Sequence, residues 1–175
     1  MLQTHREGME KMLKKLKRFM VVAAAAVMLS AGFATFAPKE ASAHWADNQM
    51  GWAMGRGYIT SDMRDSLATR QDTWLIITRA KKRAGDAFTY DYAQRYVKEM
   101  QISDGTRGTN WITRDECAAM MLQATGISSL YRNGFSYVQK YGKQYGIYDG
   151  SRGSDFATRA EVISMLHNAY YKMGL

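Results

Sequence analysis

Three segments of this chain repeat one chemical pattern: Thr69-Arg70-Gln71-Asp72, Thr113-Arg114-Asp115-Glu116 and Thr158-Arg159-Ala160-Glu161. Thr followed three residues later by an acid is a capping box. The Thr hydroxyl accepts from the amide at the third helical position, and the acid reaches back to the Thr amide. This assigns capping to Thr69, Asp72, Thr113, Glu116, Thr158 and Glu161. It does not account for the arginines. The start of a helix favours negative side chains, so Arg70, Arg114 and Arg159 stand against the dipole. A cation there makes sense where an anion is held, because dipole, amides and guanidinium converge on one carboxylate or phosphate. The alternative for each Arg is a salt bridge to a carboxylate of a neighbouring unit.

The loops before two of these motifs are Asp104-Gly105-Thr106-Arg107-Gly108 and Asp149-Gly150-Ser151-Arg152-Gly153. Their glycines permit positive φ and close backbone approach to a polar ligand. They are not calcium loops. Glycine stands second, a basic residue fourth and no acid fifth, where an oxygen ligand would be needed.

The elements that position these residues come from an internal repeat. Ile102 to Glu116 matches Ile147 to Glu161 without a gap, at an offset of 45 residues. A third copy, read from Ile59 to Asp72, is one residue shorter in this alignment and has lost both glycines. The expected second helices carry Thr73, Ile76, Ile77 and Ala80; Cys117, Met120, Met121 and Ala124; and Val162, Met165, Leu166 and Ala169. Each set follows i, i+3, i+4, i+7, the stripe of a helix with one buried face. The first helices carry Tyr92, Tyr96 and Met100, matched by Tyr137, Tyr141 and Tyr145, and unit one opens with Trp45 and Trp52. At this spacing such aromatics are more often core than sugar platforms. Gly85, Gly126 and Gly134 fall between helices, as turn residues do. A helical hairpin of some 40 residues buries too little alone, so three packed together are expected.

The 175 residues carry 24 Lys+Arg and 16 Asp+Glu, a net charge of +8. Residues 1–43 hold seven of the basic and three of the acidic residues, half of that excess. There Lys14-Lys15-Leu16-Lys17-Arg18 precedes fifteen residues, Phe19 to Phe33, whose only polar side chain is Ser30, and Ala41-Ser42-Ala43 follows. A basic region, a short apolar run and a small-x-small site make a secretory signal, here cut after Ala43. The apolar run is too short and too soon interrupted, by Gly32, Pro38 and Lys39, for a membrane anchor. No later segment could span a bilayer. The remaining +4 is too mild for a polyanion binder by bulk charge, and export removes the chain from most nucleic acid. Arg79-Ala80-Lys81-Lys82-Arg83, the densest basic run after the signal, reads as a solvated helix end, with contact to anionic wall polymer as the alternative.

An exported chain with one cysteine, Cys117, cannot rest on internal disulfides, and Cys117 reads as a small core side chain. Beyond the signal the histidines are His44 and His167, and no metal-ligand or Ser-His-Asp pattern occurs. Two carboxylates could flank a glycosidic bond, but Asp72, Glu116 and Glu161 are accounted for as caps. Neither a catalytic residue nor a metal nor a cofactor is expected.

The threefold unit, with an aromatic first helix, an Asp-Gly loop and a Thr-Arg-x-acid helix start, resembles the S-layer homology (SLH) domain family. Asp104-Gly105 with Trp111 to Glu116, and Asp149-Gly150 with Phe156 to Glu161, carry the resemblance. Unit one is recognisable by His44-Trp45-Ala46-Asp47, Trp52-Ala53 and Ala68 to Asp72. The resemblance implies an all-α fold, three helix-loop-helix repeats packed as a pseudo-threefold helical bundle. The bounds are 1–43 for the signal, then 44–86, 87–131 and 132–175 for the repeats. It further implies binding of secondary cell-wall polysaccharide, often carrying pyruvate ketals, at the cell wall. Carried over residue by residue, the glycan-binding positions are Arg70, Arg114 and Arg159, with Gly105, Gly150 and Trp111 beside them. Departures are the lack of a loop proline, loops shorter than the family's, and Asp72 in place of Glu. Unit one lacks loop glycines, which ranks Arg114 and Arg159 above Arg70. The other reading is an exported envelope module that docks S-layer or other envelope proteins.

Overall fold

The computed structural model describes residues 44–84, 88–127 and 134–175. The chain divides into Met1–Ala43 and His44–Leu175, and the expected export signal lies in the first part, outside the described residues, as does Gly85. Six helices are described: α1 (Asp47–Gly55), α2 (Arg70–Lys82), α3 (Tyr90–Glu99), α4 (Arg114–Ala124), α5 (Phe135–Gln144) and α6 (Arg159–Met173). The fold is all-α, and among the described residues β-structure is limited to three isolated bridges. No described helix is long and apolar enough to cross a membrane.

The helices that pack together are not the two within each repeat. α3 packs on α2, α5 on α4, and α1 on α6. Short connections make consecutive helices antiparallel neighbours, whereas the fourteen-residue loops inside each repeat, such as 56–69, carry the chain across to the next pair.

All twelve apolar-stripe positions of α2, α4 and α6 are buried. In α4 the burial goes right round the helix, because Ala118, Ala119 and Leu122 are sealed as completely as Cys117. α4 lies against α2, α5 and α6, so it has no solvent face to leave polar. On the first helices the buried line is not the tyrosine stripe but Ala93 and Val97 on α3, and Val138 and Gly142 on α5. Small residues allow the close approach; a Cβ on Gly142 would stand 2.7 Å from the Tyr148 ring. Tyr96 and Tyr141 flank the contact, while Met100, Tyr137 and Tyr145 remain exposed.

The segments leading into α2, α4 and α6 close a triangle of backbone hydrogen bonds. Ala68 N–H donates to Ala157 O (3.0 Å), Ala157 N–H to Ile112 O (2.9 Å), and Ile112 N–H to Ala68 O (3.0 Å). Around it, Thr69 bridges Trp111, Thr113 bridges Phe156, and Thr158 bridges Leu67. Each repeat thus touches both others at the point where its motif begins.

The backbone also corrects the register of unit one. Gly57, Gln101 and Gly146 all have positive φ, and the amides of Tyr58, Ile102 and Ile147 then close back on Ala53, Val97 and Gly142. A second positive φ recurs at Met63, Arg107 and Arg152. Tyr58, rather than Ile59, therefore corresponds to Ile102 and Ile147, and the unit-one loop is as long as the others. By this count Thr60 stands where the other units have Asp104 and Asp149.

Candidate functional site

Each motif builds its helix start in the same way. Thr69, Thr113 and Thr158 accept from the amides of Asp72, Glu116 and Glu161, whose carboxylates return to the Thr amides. The next unit's loop supplies the rest. Arg70 and Gln71 amides donate to Asn110 and Gly108 carbonyls, Arg114 and Asp115 to Asp155 and Gly153, and Arg159 and Ala160 to Ser66 and Arg64. The first three amides of all three helices are thus satisfied within the protein. The expectation of open amides converging on an anion does not match this geometry; a ligand has only the guanidinium to meet.

The three guanidinium groups differ in what surrounds them. Arg70 is 2% exposed, with Nη1 on Glu116 Oε1 (2.8 Å), Nη2 on Asp104 Oδ1 (2.9 Å) and Nε on the Thr106 carbonyl (3.0 Å). Arg114 is 5% exposed and repeats the set: Nη1 on Glu161, Nη2 on Asp149 Oδ1 (2.9 Å) and Nε on the Ser151 carbonyl (3.2 Å). At these two positions the salt-bridge alternative describes what the side chain does. The contacts are charge-assisted and span two loops, so they tie one repeat to the next.

Arg159 has neither carboxylate. Its Nη1 donates to the Ser61 carbonyl (3.2 Å), and among the described residues no acid lies within ion-pair distance. Two substitutions account for this. Thr60 occupies the position of Asp104 and Asp149. Asp72, one methylene shorter than Glu116 and Glu161, turns its carboxylate to Thr69 Oγ1 (2.7 Å) and the Tyr90 hydroxyl (2.8 Å).

Arg159 lines a groove of about 450 Å³ between the unit-one loop, α2 and the start of α3. Its other walls include Tyr58, Ser61, Leu75, Arg79, Phe88 and Tyr90. Arg79, mostly buried, donates from Nη1 to the Tyr58 carbonyl (3.2 Å). The hydrogen bond to Asp72 raises the Tyr90 hydroxyl above its ordinary pKa, while Arg159 and Arg79 pull the other way, which places both cations within its field.

A second groove, of about 500 Å³, lies over Arg114 and is lined by Trp45, Tyr148, Asp149, Arg152, Glu161 and Asn168. Its acids and bases are already paired with one another: Arg152 Nη2 meets Glu161 Oε1 at 2.8 Å. Asp149 is held below the usual carboxylate range, chiefly by the Ser151 amide and hydroxyl, with Arg114 adding to them. Asp115 is buried beneath, accepting from the Tyr148 hydroxyl and from Gln139 Nε2 (2.8 Å).

The remaining candidate positions serve backbone geometry. Gly105 and Gly150 adopt φ of +67° and +74°; a Cβ on Gly105 would fall 2.5 Å from the Lys98 stem. The Gly105 carbonyl accepts from Gln94 Nε2 at 2.7 Å. Trp111 is half-exposed, and its backbone forms the bridge to Thr69. Asp104 and Asp149, quoted in the sequence as loop acids, are revealed as the second clamp on each buried Arg. Phe88 and Tyr90 carried no motif signal, and Arg79, read in the sequence as part of a solvated basic helix end, is mostly buried; the three come together only through the packing of α3 on α2. No family model matches the chain, and no curated protein matches it.

Proposed function

We propose that this protein is a non-catalytic anchor that attaches, outside the cell membrane, to an acidic secondary cell-wall polysaccharide. The resemblance to SLH repeats suggests the ligand class. The observation that carries the reading is Arg159, a guanidinium without an internal carboxylate, on the wall of a groove that also holds Arg79, Tyr90 and Phe88. A cation beside aromatic rings suits a sugar that bears a carboxylate: the charge takes the acid and the ring faces take the apolar side of the pyranose. The mild net charge left after the signal fits a partner recognised at a point rather than by bulk attraction.

Co-sedimentation of residues 44–175 with purified wall sacculi tests this reading. Binding is expected to native walls, and to be lost from walls stripped of their polysaccharide. Undiminished binding to stripped walls would favour the second reading, an envelope protein-docking module. That reading has its own observation. Trp52, His167, Tyr170 and Tyr171 form a contiguous aromatic cluster, with the Arg56 guanidinium 5.2 Å from the Tyr170 ring centre and Tyr171 57% exposed.

A further inference from the structure

Two of the three motif arginines are satisfied by the protein's own acids, and those closed units are a template for what the third would take. The Arg70 guanidinium of unit one is met by two acids of unit two, at Nη1 by Glu116 Oε1 (2.8 Å) and at Nη2 by Asp104 Oδ1 (2.9 Å). Arg114 of unit two is met by Glu161 and Asp149 of unit three in the same way. Both carboxylate positions are vacated around Arg159, since Thr60 cannot supply one and Asp72 is turned to Tyr90. We propose that the chain carries one ligand site, at Arg159, and that a carboxylate of the ligand takes the place that Asp104 and Asp149 hold on the other two arginines.

This rests on the reading of an acidic-glycan anchor and adds its stoichiometry and its chemistry. A buried arginine already ion-paired at both terminal nitrogens has no reason to exchange its partners, because the ligand would have to displace an acid that the loop holds in place beside it. Arg159 incurs no such cost. The ligand class follows from the template. In both closed units each terminal nitrogen meets a carboxylate, one acid apiece, so a neutral glycan lacks the group that these nitrogens pair with. Phe88 and Tyr90 border the same groove, beside the cation.

The test is calorimetric titration of residues 44–175 with polysaccharide fragments released from native wall, and with the same fragments after carboxylate reduction. One site per chain is expected, with at least tenfold weaker binding of the reduced fragments and of Arg159→Gln. Thr60→Asp and Ser61→Asp each place an acid in the unit-one loop. At least one of them is expected to close the site, weakening binding tenfold or more while raising thermal stability. Asp149→Thr, which removes the acid from the Arg114 edge, is expected to add a second, weaker site. If the wild-type chain binds two or three fragments, or if Arg159→Gln and both loop variants bind as the wild type does, the single-site proposal is overturned and the anchor reading stands. If the wild type binds no fragment at all, the anchor reading itself fails and takes the proposal with it.

Discussion

Arg70 and Glu116, 46 residues apart, meet at 2.8 Å, and the same Glu116 closes the capping box of its own helix. One acid therefore holds the start of α4 and the preceding repeat's arginine together. Glu161 does the same for α6 and Arg114. The repeat boundary is thus a shared ion pair, nearly desolvated on both sides, with side-chain exposures of 2% and 13% at the first pair.

Glu116→Gln separates the two duties, because Gln keeps the capping box while the charge is lost. Leaving a buried arginine short of its acid is expected to destabilise the fold by about 3–5 kcal/mol, whereas loss of a cap alone costs about 1 kcal/mol. Urea unfolding of Glu116→Gln, Thr113→Ala and the double variant Arg70→Met/Glu116→Leu measures this. The double variant is expected to recover much of the loss, since a well-packed apolar pair replaces a buried ionic one at little net cost. A Glu116→Gln effect no larger than that of Thr113→Ala would mean that the ion pair contributes nothing.

Gly153 is required by the acid it covers. A Cβ at this position would stand 2.1 Å from Asp115 Oδ2, and that carboxylate cannot swing aside while Tyr148 and Gln139 hold it. Gly153→Ala is expected to lower stability by about 1–3 kcal/mol, as overpacking of a fixed group does. Combining it with Asp115→Ala tests the cause: the alanine at 153 should then cost much less than it does alone. Additive losses in thermal melts would place the strain elsewhere.

What was legible in the sequence was the repeat, the helix starts and the buried stripes, because capping and helical periodicity are local. Thr113, Arg114, Asp115 and Glu116 are four consecutive positions at one helix start, and the spacing of Thr113 and Glu116 alone assigns the cap. Which acid meets Arg114 was not legible, since Asp149 and Glu161 arrive from another repeat through the backbone triangle at Ala68, Ile112 and Ala157. The unit-one register was misread for a related reason. Ile59 looks like Ile102 by residue type, but backbone closure after Gly57 puts Tyr58 in that place, and only the fold reports it. The tyrosine stripe misled in the opposite way, being periodic yet lateral, because Ala93 and Gly142 are small enough to let the helices meet on their own line.

Asp104 and Asp149 both titrate below the usual carboxylate range in the folded chain. At Asp104 burial pushes upward, but the Thr106 amide and hydroxyl and Arg70 outweigh it; at Asp149 the Ser151 amide leads. A carboxyl with a lowered folded pKa gives stability that is fully present above its unfolded value, near 3.9, and lost as pH falls through the folded value. Melting temperature is therefore expected to be insensitive to these two groups above about pH 5 and to fall as the pH drops through 4 and below. Asp104→Asn with Asp149→Asn should start lower at pH 6 and show a shallower acid decline. An acid limb as steep in the double variant as in the wild type would assign the loss to other carboxylates.

Cys117 lies one turn into α4 with no exposed surface, and burial pushes its thiol well above the ordinary cysteine range. The thiolate is the reactive form, so in the folded chain the group is both inaccessible and protonated. The physical consequence is that modification must wait for opening of the whole core, because α4 is enclosed by α2, α5 and α6. An aromatic disulfide reagent at pH 8 is expected to label Cys117 no faster than the chain unfolds globally, and added urea should accelerate labelling with the slope of global unfolding. Cys117→Ala removes only a buried sulfur and should cost about 1–2 kcal/mol. Labelling that is complete within seconds in native buffer, with little dependence on urea, would show that α4 opens locally and that its enclosure by α2, α5 and α6 is not the barrier.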